Sequence, residues 1–403
     1  MSSNPLSAAG AAGQVKYLDH IGEHDYRAAR VIADEPLIVE DLDALVRDVE
    51  AGVNQAGLLL PDAQALIERV VVSLLGGHLI LAGPPGTGKT TLAGIVAAAF
   101  RASYDTETAT ADWSTFDVIG GLQPAVGEHD TEVLKPWLGH VPRAALRCAD
   151  AINLHADDDK ANPDQAHWLI IDEFNRAEID KAVGPLYTVL GRGGGPSHRR
   201  LPLWFGDTPE TLECWIPERF RIIGTLNSVD TAYVYSLSQG LQRRFQFVHV
   251  GVPEQDQVAA EIVAVTVQAA SWWVETYRPD LDGAAKPSES KRLADDEHIK
   301  GAAAHLQSLI EFLRYGESVA WPIGTAQAGD VMRQIIVRSA RGDTADLIEA
   351  LDLALSDALI PQVSGLLRTQ LDAIEAWLAE AGNLPRSESA LQRVRRSQRA
   401  SFG

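Results

Sequence analysis

The run Gly83-Pro84-Pro85-Gly86-Thr87-Gly88-Lys89-Thr90 has the residue types and spacing of a loop that wraps phosphate. Backbone N–H groups in such a glycine-rich loop turn inward around phosphate oxygens, and a helix starting at its end adds positive potential. Lys89 has the length to reach the outer phosphates of a nucleotide, and the Thr90 hydroxyl suits Mg2+. With Thr91, residues 83–91 form the expected nucleotide-binding stretch. An ordinary glycine-rich turn would need neither the apolar strand before it nor the helix after it.

Three further patterns lie downstream. Asp172 and Glu173 follow the apolar run Leu169-Ile170-Ile171. A carboxylate at the carboxyl edge of a buried strand can position Mg2+, and the glutamate beside it can orient and deprotonate an attacking water. Asn227 ends a second run, Arg221 to Leu226. A neutral amide there can hydrogen-bond the same water or a γ-phosphate without adding charge. Arg243 and Arg244 precede a third run; they are either a solvated basic pair or arginines that reach a nucleotide in a neighbouring subunit. Taken singly, such residues are more often turns or exposed faces. Their order behind a phosphate loop gives them chemistry.

These residues must be held by a sheet. Short, strand-like runs at His78–Ala82, His167–Ile171 and Arg221–Leu226, and an alternating one at Phe245–Val250, read as strands. Helical periodicity falls at Pro61–Leu75, Thr91–Phe100, Arg143–Leu154 and Ala177–Leu190, with a weaker segment at Glu40–Val49. Strands alternating with helices predict an α/β domain with a mostly parallel sheet. After Pro253 the pattern turns all-helical, with segments at 255–277, 302–315, 328–340, 345–359 and 365–381, and an exposed loop expected over 278–297.

Composition restricts the partners. A formal net charge of −20 argues against a protein whose whole surface embraces nucleic acid, although a basic pore or patch remains compatible with it. Two cysteines, Cys148 and Cys214, make no disulfide framework and read as packing residues. The histidines lack ligand spacing, so no zinc site is expected. Neither a leader nor an apolar stretch of spanning length is evident, which predicts a cytoplasmic protein without a membrane segment.

Residues 83–90, Asp172-Glu173-Phe174-Asn175-Arg176, the strand ending at Asn227 and Leu241-Gln242-Arg243-Arg244-Phe245 together resemble the AAA+ superfamily. Within it they are most similar to the MoxR and McrB-like, dynein-related branch, which the stretches 170–190 and 222–245 and the segment Trp113–Pro124 also resemble. The similarity runs from about Leu58 to Val252 and more loosely through 321–340. It implies a P-loop NTPase αβα sandwich, a helical lid, a homo-hexamer or other ring, and Mg2+-dependent hydrolysis of ATP or GTP. Carried over by position, Lys89 binds phosphate, Thr90 and Asp172 hold Mg2+, Glu173 is the base, and Asn227 senses the γ-phosphate. Arg244 is the nearer match to an arginine finger with Arg243 its companion, or the two in reverse order. The implied division is an arm over 1–35, a nucleotide-binding core over 36–252, a helical lid over 253–385 and a basic tail over 386–403.

Two departures qualify the resemblance. The lid helix of many relatives opens with a nucleotide-sensing arginine, whereas Gly324-Thr325-Ala326-Gln327-Ala328 has none; Arg333, a turn later, is the substitute on offer. McrB-like GTPases resemble one another in Met-Asn-x-x-Asp-Arg, and this chain has Asp230 but Thr231 in the last position, which leaves ATP ahead of GTP. Three classes of function stay open: a MoxR-like chaperone acting on a protein, often one with a von Willebrand A domain; a McrB-like motor driving a nuclease subunit on DNA; and a nucleotide-gated scaffold with little turnover. Of the remaining features, Leu122–Trp137 is either a projecting hairpin or a surface loop. Arg192–Arg200 reads as an exposed basic loop ahead of a face for nucleic acid or polypeptide in a channel, and Arg393–Arg399 as a solvated, disordered terminus ahead of a dock for an acidic partner or nucleic acid.

Overall fold

The computed structural model of the chain describes residues 35–126, 132–156, 164–191, 199–203, 213–227, 238–341, 347–382 and 384–401. Helices of eight or more residues are numbered here with the strands. They divide between two compact units. One holds the described residues up to Ala56 together with Asp62–Gly83 and Lys89–Val250; the other holds Gly57–Pro61, Pro84–Gly88 and the residues from Gly251 onward.

The first unit contains α1 (Leu42–Gln55), α2 (Ala63–Leu75), β1 (His78–Gly83), α3 (Lys89–Ala99), β2 (Ala102–Thr108), β3 (Gly120–Val126), β4 (Glu132–Leu138), α4 (His140–Ala156), β5 (Ala166–Asp172), β6 (Arg200–Pro202), β7 (Glu213–Trp215), β8 (Ile222–Asn227) and β9 (Phe245–His249). Five strands form one sheet in the order β2-β5-β8-β1-β9, every pair parallel. Helices α2, α3 and α4 pack against it, which makes the unit a P-loop NTPase sandwich. The central strands β1, β5 and β8 are buried along almost their whole length, and their unbroken apolar runs follow from burial on both faces.

Strand β2 escaped the periodicity because it is an edge. Ser103, Asp105 and Glu107 alternate with exposed Tyr104, Thr106 and Thr108, so its sequence has no apolar run. The helix expected over Ala177–Leu190 is broken into a short turn at Ile179–Val183 and a 3-10 stretch at Gly184–Thr188, where Pro185 removes a backbone donor. Leu122–Trp137 is a hairpin: β3 and β4 pair antiparallel from Gly120 opposite Leu138 to Val126 opposite Glu132.

The second unit contains α5 (Val258–Tyr277), α6 (Ala285–Ala294), α7 (Glu297–Tyr315), α8 (Thr325–Arg341), α9 (Leu347–Ala354), α10 (Arg368–Ala381) and α11 (Pro385–Ser401). Ile262, Val265, Leu306, Ile310, Val331, Ile335, Leu355 and Leu371 belong to its core. Two expectations fail here. The loop over 278–297 contains α6, whose buried positions are Ser290 and Ala294, too small and too few to print a helical period. Its Pro287 lies in the first turn, where the missing N–H has no intrahelical partner to lose.

The basic terminus is also a helix. The backbone N–H groups of Arg386 and Ser387 donate to the buried Asp352 carboxylate at 2.9 and 2.8 Å, an anion held at the start of α11. Leu391 is buried, and Arg395 pairs with Asp372 and Glu375. Its positive charge therefore meets acids of its own unit. The expectations for the arm over 1–34, for residues 192–198, for Asp230 and Thr231 and for residues 402–403 lie outside the described residues.

Candidate nucleotide site

Strand β1 delivers the chain to the phosphate loop at Gly83, and only glycine fits: a Cβ there would overlap the Val250 carbonyl oxygen. Gly86 and Gly88 have φ of +78° and +79°, the left-handed region that side chains resist. The Thr87 hydroxyl donates to the Pro84 carbonyl at 3.1 Å and closes the loop on itself.

In the first unit, Lys89 opens α3 with its ammonium group donating to the Gly83 carbonyl at 3.1 Å. Burial pushes its pKa down to about 8, against the opposing pull of Asp172 and Glu173. A cation held where hydration is poor is prepared for an anionic ligand. Thr91 stands exposed one residue beyond Thr90.

The Thr90 hydroxyl donates to Asp172 Oδ1 at 2.8 Å. The register β5–β8 and the register β1–β8, which sets Gly83 opposite Asn227, bring the ends of three strands together. Thr225 joins them. Its hydroxyl donates to Asp172 Oδ1, and the Glu173 backbone N–H donates to the same hydroxyl at 3.1 Å. Position alone gave no role to this residue. Its signal is a hydroxyl inside the buried run Ile222-Ile223-Gly224-Thr225-Leu226, where a polar side chain needs a partner.

Glu173 adopts φ +51°, a left-handed conformation uncommon for a side-chain-bearing residue. Asn227 Nδ2 donates to Glu173 Oε1 at 3.2 Å, and Arg176 Nε reaches Oε2 at 2.6 Å. The structure thus brings Lys89, Thr90, Asp172, Glu173 and Asn227 into one cluster and adds Thr225 and Arg176. The oxygens of Thr90 and Asp172 suit Mg2+, which keeps several waters and takes only one or two protein ligands beside the phosphates.

The arginine pair divides. Arg244 is tied down, with Nε donating to the Tyr187 carbonyl at 2.8 Å, Nη1 to the Gly240 carbonyl at 3.1 Å and its guanidinium 5.4 Å from the Tyr187 ring centre. Arg243 is exposed.

The second unit holds loop residues Pro84–Gly88 against the start of α8. The Ala326 N–H donates to the Gly86 carbonyl at 3.0 Å, and a Cβ on Gly324 would overlap the Pro85 carbonyl. Leu58 packs against Gly88. Arg333 pairs with Asp330 at 2.9 Å and lies 5.9 Å from the Trp272 ring centre. Gly324, just before α8, and Ala326 and Gln327 in its first turn meet the loop.

Residues 78–245 match the family model of the AAA domain, dynein-related subfamily. Over those residues the chain is similar to AAA+ proteins of the MoxR type. Over 81 residues it is 37% identical to protein MoxR of Paracoccus denitrificans, a match covering 20% of this chain and 23% of that relative. A solved structure from Cytophaga hutchinsonii, provisionally assigned as an ATPase, is 14% identical over 79% of this chain and 87% of its own, with a TM-score of 0.34. An AAA domain implies nucleotide hydrolysis, with nucleotide and Mg2+ use, in general terms, and members of the superfamily typically form oligomeric rings. No described helix is long and apolar enough to cross a membrane.

Proposed function

We propose that this AAA+ protein is a Mg2+-dependent ATPase that works as an oligomer and remodels a protein partner. The observation that carries the reading is the cluster at the strand ends, where Asn227 and Arg176 hold the two oxygens of Glu173 beside the Thr90–Asp172 pair. In this scheme Lys89 and the loop N–H groups bind the triphosphate. Mg2+, held by Thr90 and Asp172, would neutralise charge on the phosphate oxygens. Glu173 accepts a proton from water as the water oxygen bonds to the γ-phosphorus and the bond to the β–γ bridging oxygen breaks, releasing ADP. Asn227 orients Glu173. Such chemistry is mostly positioning and charge stabilisation.

The remaining charge is met from a neighbouring copy. The exposure of Arg243 and the anchoring of Arg244 on Tyr187 favour Arg243 as the arginine that reaches across and Arg244 as the residue that fixes the turn, the reverse of the order that position suggests. The net charge of −20 supports a protein partner ahead of DNA.

Phosphate release from ATP and from GTP, followed against protein concentration with and without DNA, tests this reading. ATP turnover rising more steeply than first order in protein and indifferent to DNA is expected. Stimulation by DNA would transfer the reading to a DNA motor, and absence of turnover at every concentration would leave a scaffold.

A further inference from the structure

Gln327 lies in the first turn of α8 and is 8% exposed. Its side-chain carbonyl oxygen, Oε1, finds no hydrogen-bond donor among the described residues. A buried amide acceptor left unmatched is costly, and such an atom calls for a ligand or a water. Oε1 is aimed at the phosphate loop: a Cβ on Gly86 would overlap it, and would stand 3.0 Å from Gln327 Cδ and 3.1 Å from the Ala326 Cβ.

The segment is firmly held. The Ala326 N–H binds the Gly86 carbonyl at 3.0 Å, and Arg314 Nε binds the Ile323 carbonyl at 2.7 Å from within a fully buried pair with Glu261. The unmatched oxygen is therefore presented to the loop by a rigid support.

Resting on the reading of the loop as a triphosphate site, we propose that Gln327 is a specificity-determining residue whose Oε1 accepts a hydrogen bond from the nucleoside half of the bound nucleotide. A carbonyl oxygen can only accept, and ionised phosphate oxygens only accept as well. The donors that ATP offers are the ribose hydroxyls and the amino group on the base. A glutamine at this point therefore reads sugar or base, where a cation would read the γ-phosphate.

The test measures binding of ATP, 2′-deoxy-ATP, 3′-deoxy-ATP, inosine triphosphate and inorganic tripolyphosphate to the full chain by calorimetry, with Gln327→Met as the variant that keeps length and loses the acceptor. ATP affinity is expected to fall about five- to tenfold in the variant, the size of one hydrogen bond, while tripolyphosphate affinity stays unchanged. Wild-type protein should lose the same factor for one analogue, a deoxy sugar if a hydroxyl is read or inosine if the amino group is read, and the variant should no longer discriminate against it. Equal ATP affinity in variant and wild type would overturn the proposal, as would equal losses for ATP and tripolyphosphate. Should the variant not fold, wild-type protein that fails to discriminate among all four nucleotides overturns it alone. Wild-type protein that binds neither ATP nor tripolyphosphate would instead remove the phosphate-loop reading beneath it.

Discussion

Glu173 in the first unit and Glu261 in the second are both carboxylates drawn out of water, and their surroundings differ in kind. Glu261 and Arg314 have side chains 0% exposed and meet in two parallel hydrogen bonds of 2.5 and 2.8 Å, with the Ile323 carbonyl taking a third guanidinium donor. Each Glu261 oxygen takes one guanidinium donor, and full burial keeps water from the lone pairs that remain. Glu173, 22% exposed, ends a strand on a left-handed backbone and receives one donor on each oxygen. Its remaining lone pairs are open to a water. A charge paired and sealed from water is architecture, whereas a charge paired and still open to water can do chemistry.

The largest effect that this contrast predicts is on turnover. Glu173→Gln should retain nucleotide affinity within a small factor while phosphate release falls about 10²–10⁴-fold, the range for loss of a general base. Undiminished turnover would assign the proton to another group. For the buried pair the loss should appear in stability. Arg314→Met leaves the Glu261 carboxylate uncompensated and should cost about 3–5 kcal/mol in denaturant unfolding, whereas adding Glu261→Leu should restore most of it. A double variant no more stable than the single one would mean that the pair contributes more than charge balance.

A smaller effect is expected at the loop. Gly86→Ala forces a side chain onto φ +78° and against Gln327, and should lower stability by about 1–3 kcal/mol together with nucleotide affinity. A variant as stable as wild type would show that α8 yields easily.

The smallest prediction concerns an acid whose burial no charge among the described residues offsets. Burial pushes the Asp150 pKa up to about 7 on α4. The folded chain holds that proton more tightly than the unfolded chain, so the contribution of this group to stability falls as pH rises from about 4 to 7 and levels off above 7. Asp150→Asn should therefore stabilise the protein at pH 8 by on the order of 1–2 kcal/mol, discounted for partial exposure, and change little at pH 4. An equal effect at both pH values would point to packing instead of charge.

Much of the candidate cluster is legible in the sequence because its parts are local. Phosphate is bound by backbone N–H groups on a loop whose glycines, proline pair and lysine are neighbours in the chain, and Asp172 and Asn227 each end an apolar run. The three central strands β1, β5 and β8 showed themselves through burial on both faces, and the edge strand β9 through alternation. The edge strand β2, the helix α6 and the helix α11 did not, since a polar edge, a small-residue contact and an electrostatically held helix leave no strong apolar period.

The sequence by itself determined the kind of chemistry, through residues that act within a few positions of one another. Only the tertiary structure decided which distant groups serve it. Thr225 bridges Asp172 and Glu173 through the register of β5 on β8, Arg244 is anchored by Tyr187, and Gln327 meets the phosphate loop. Each depends on where two separated segments come to rest, which packing and strand register decide and which no local spacing records.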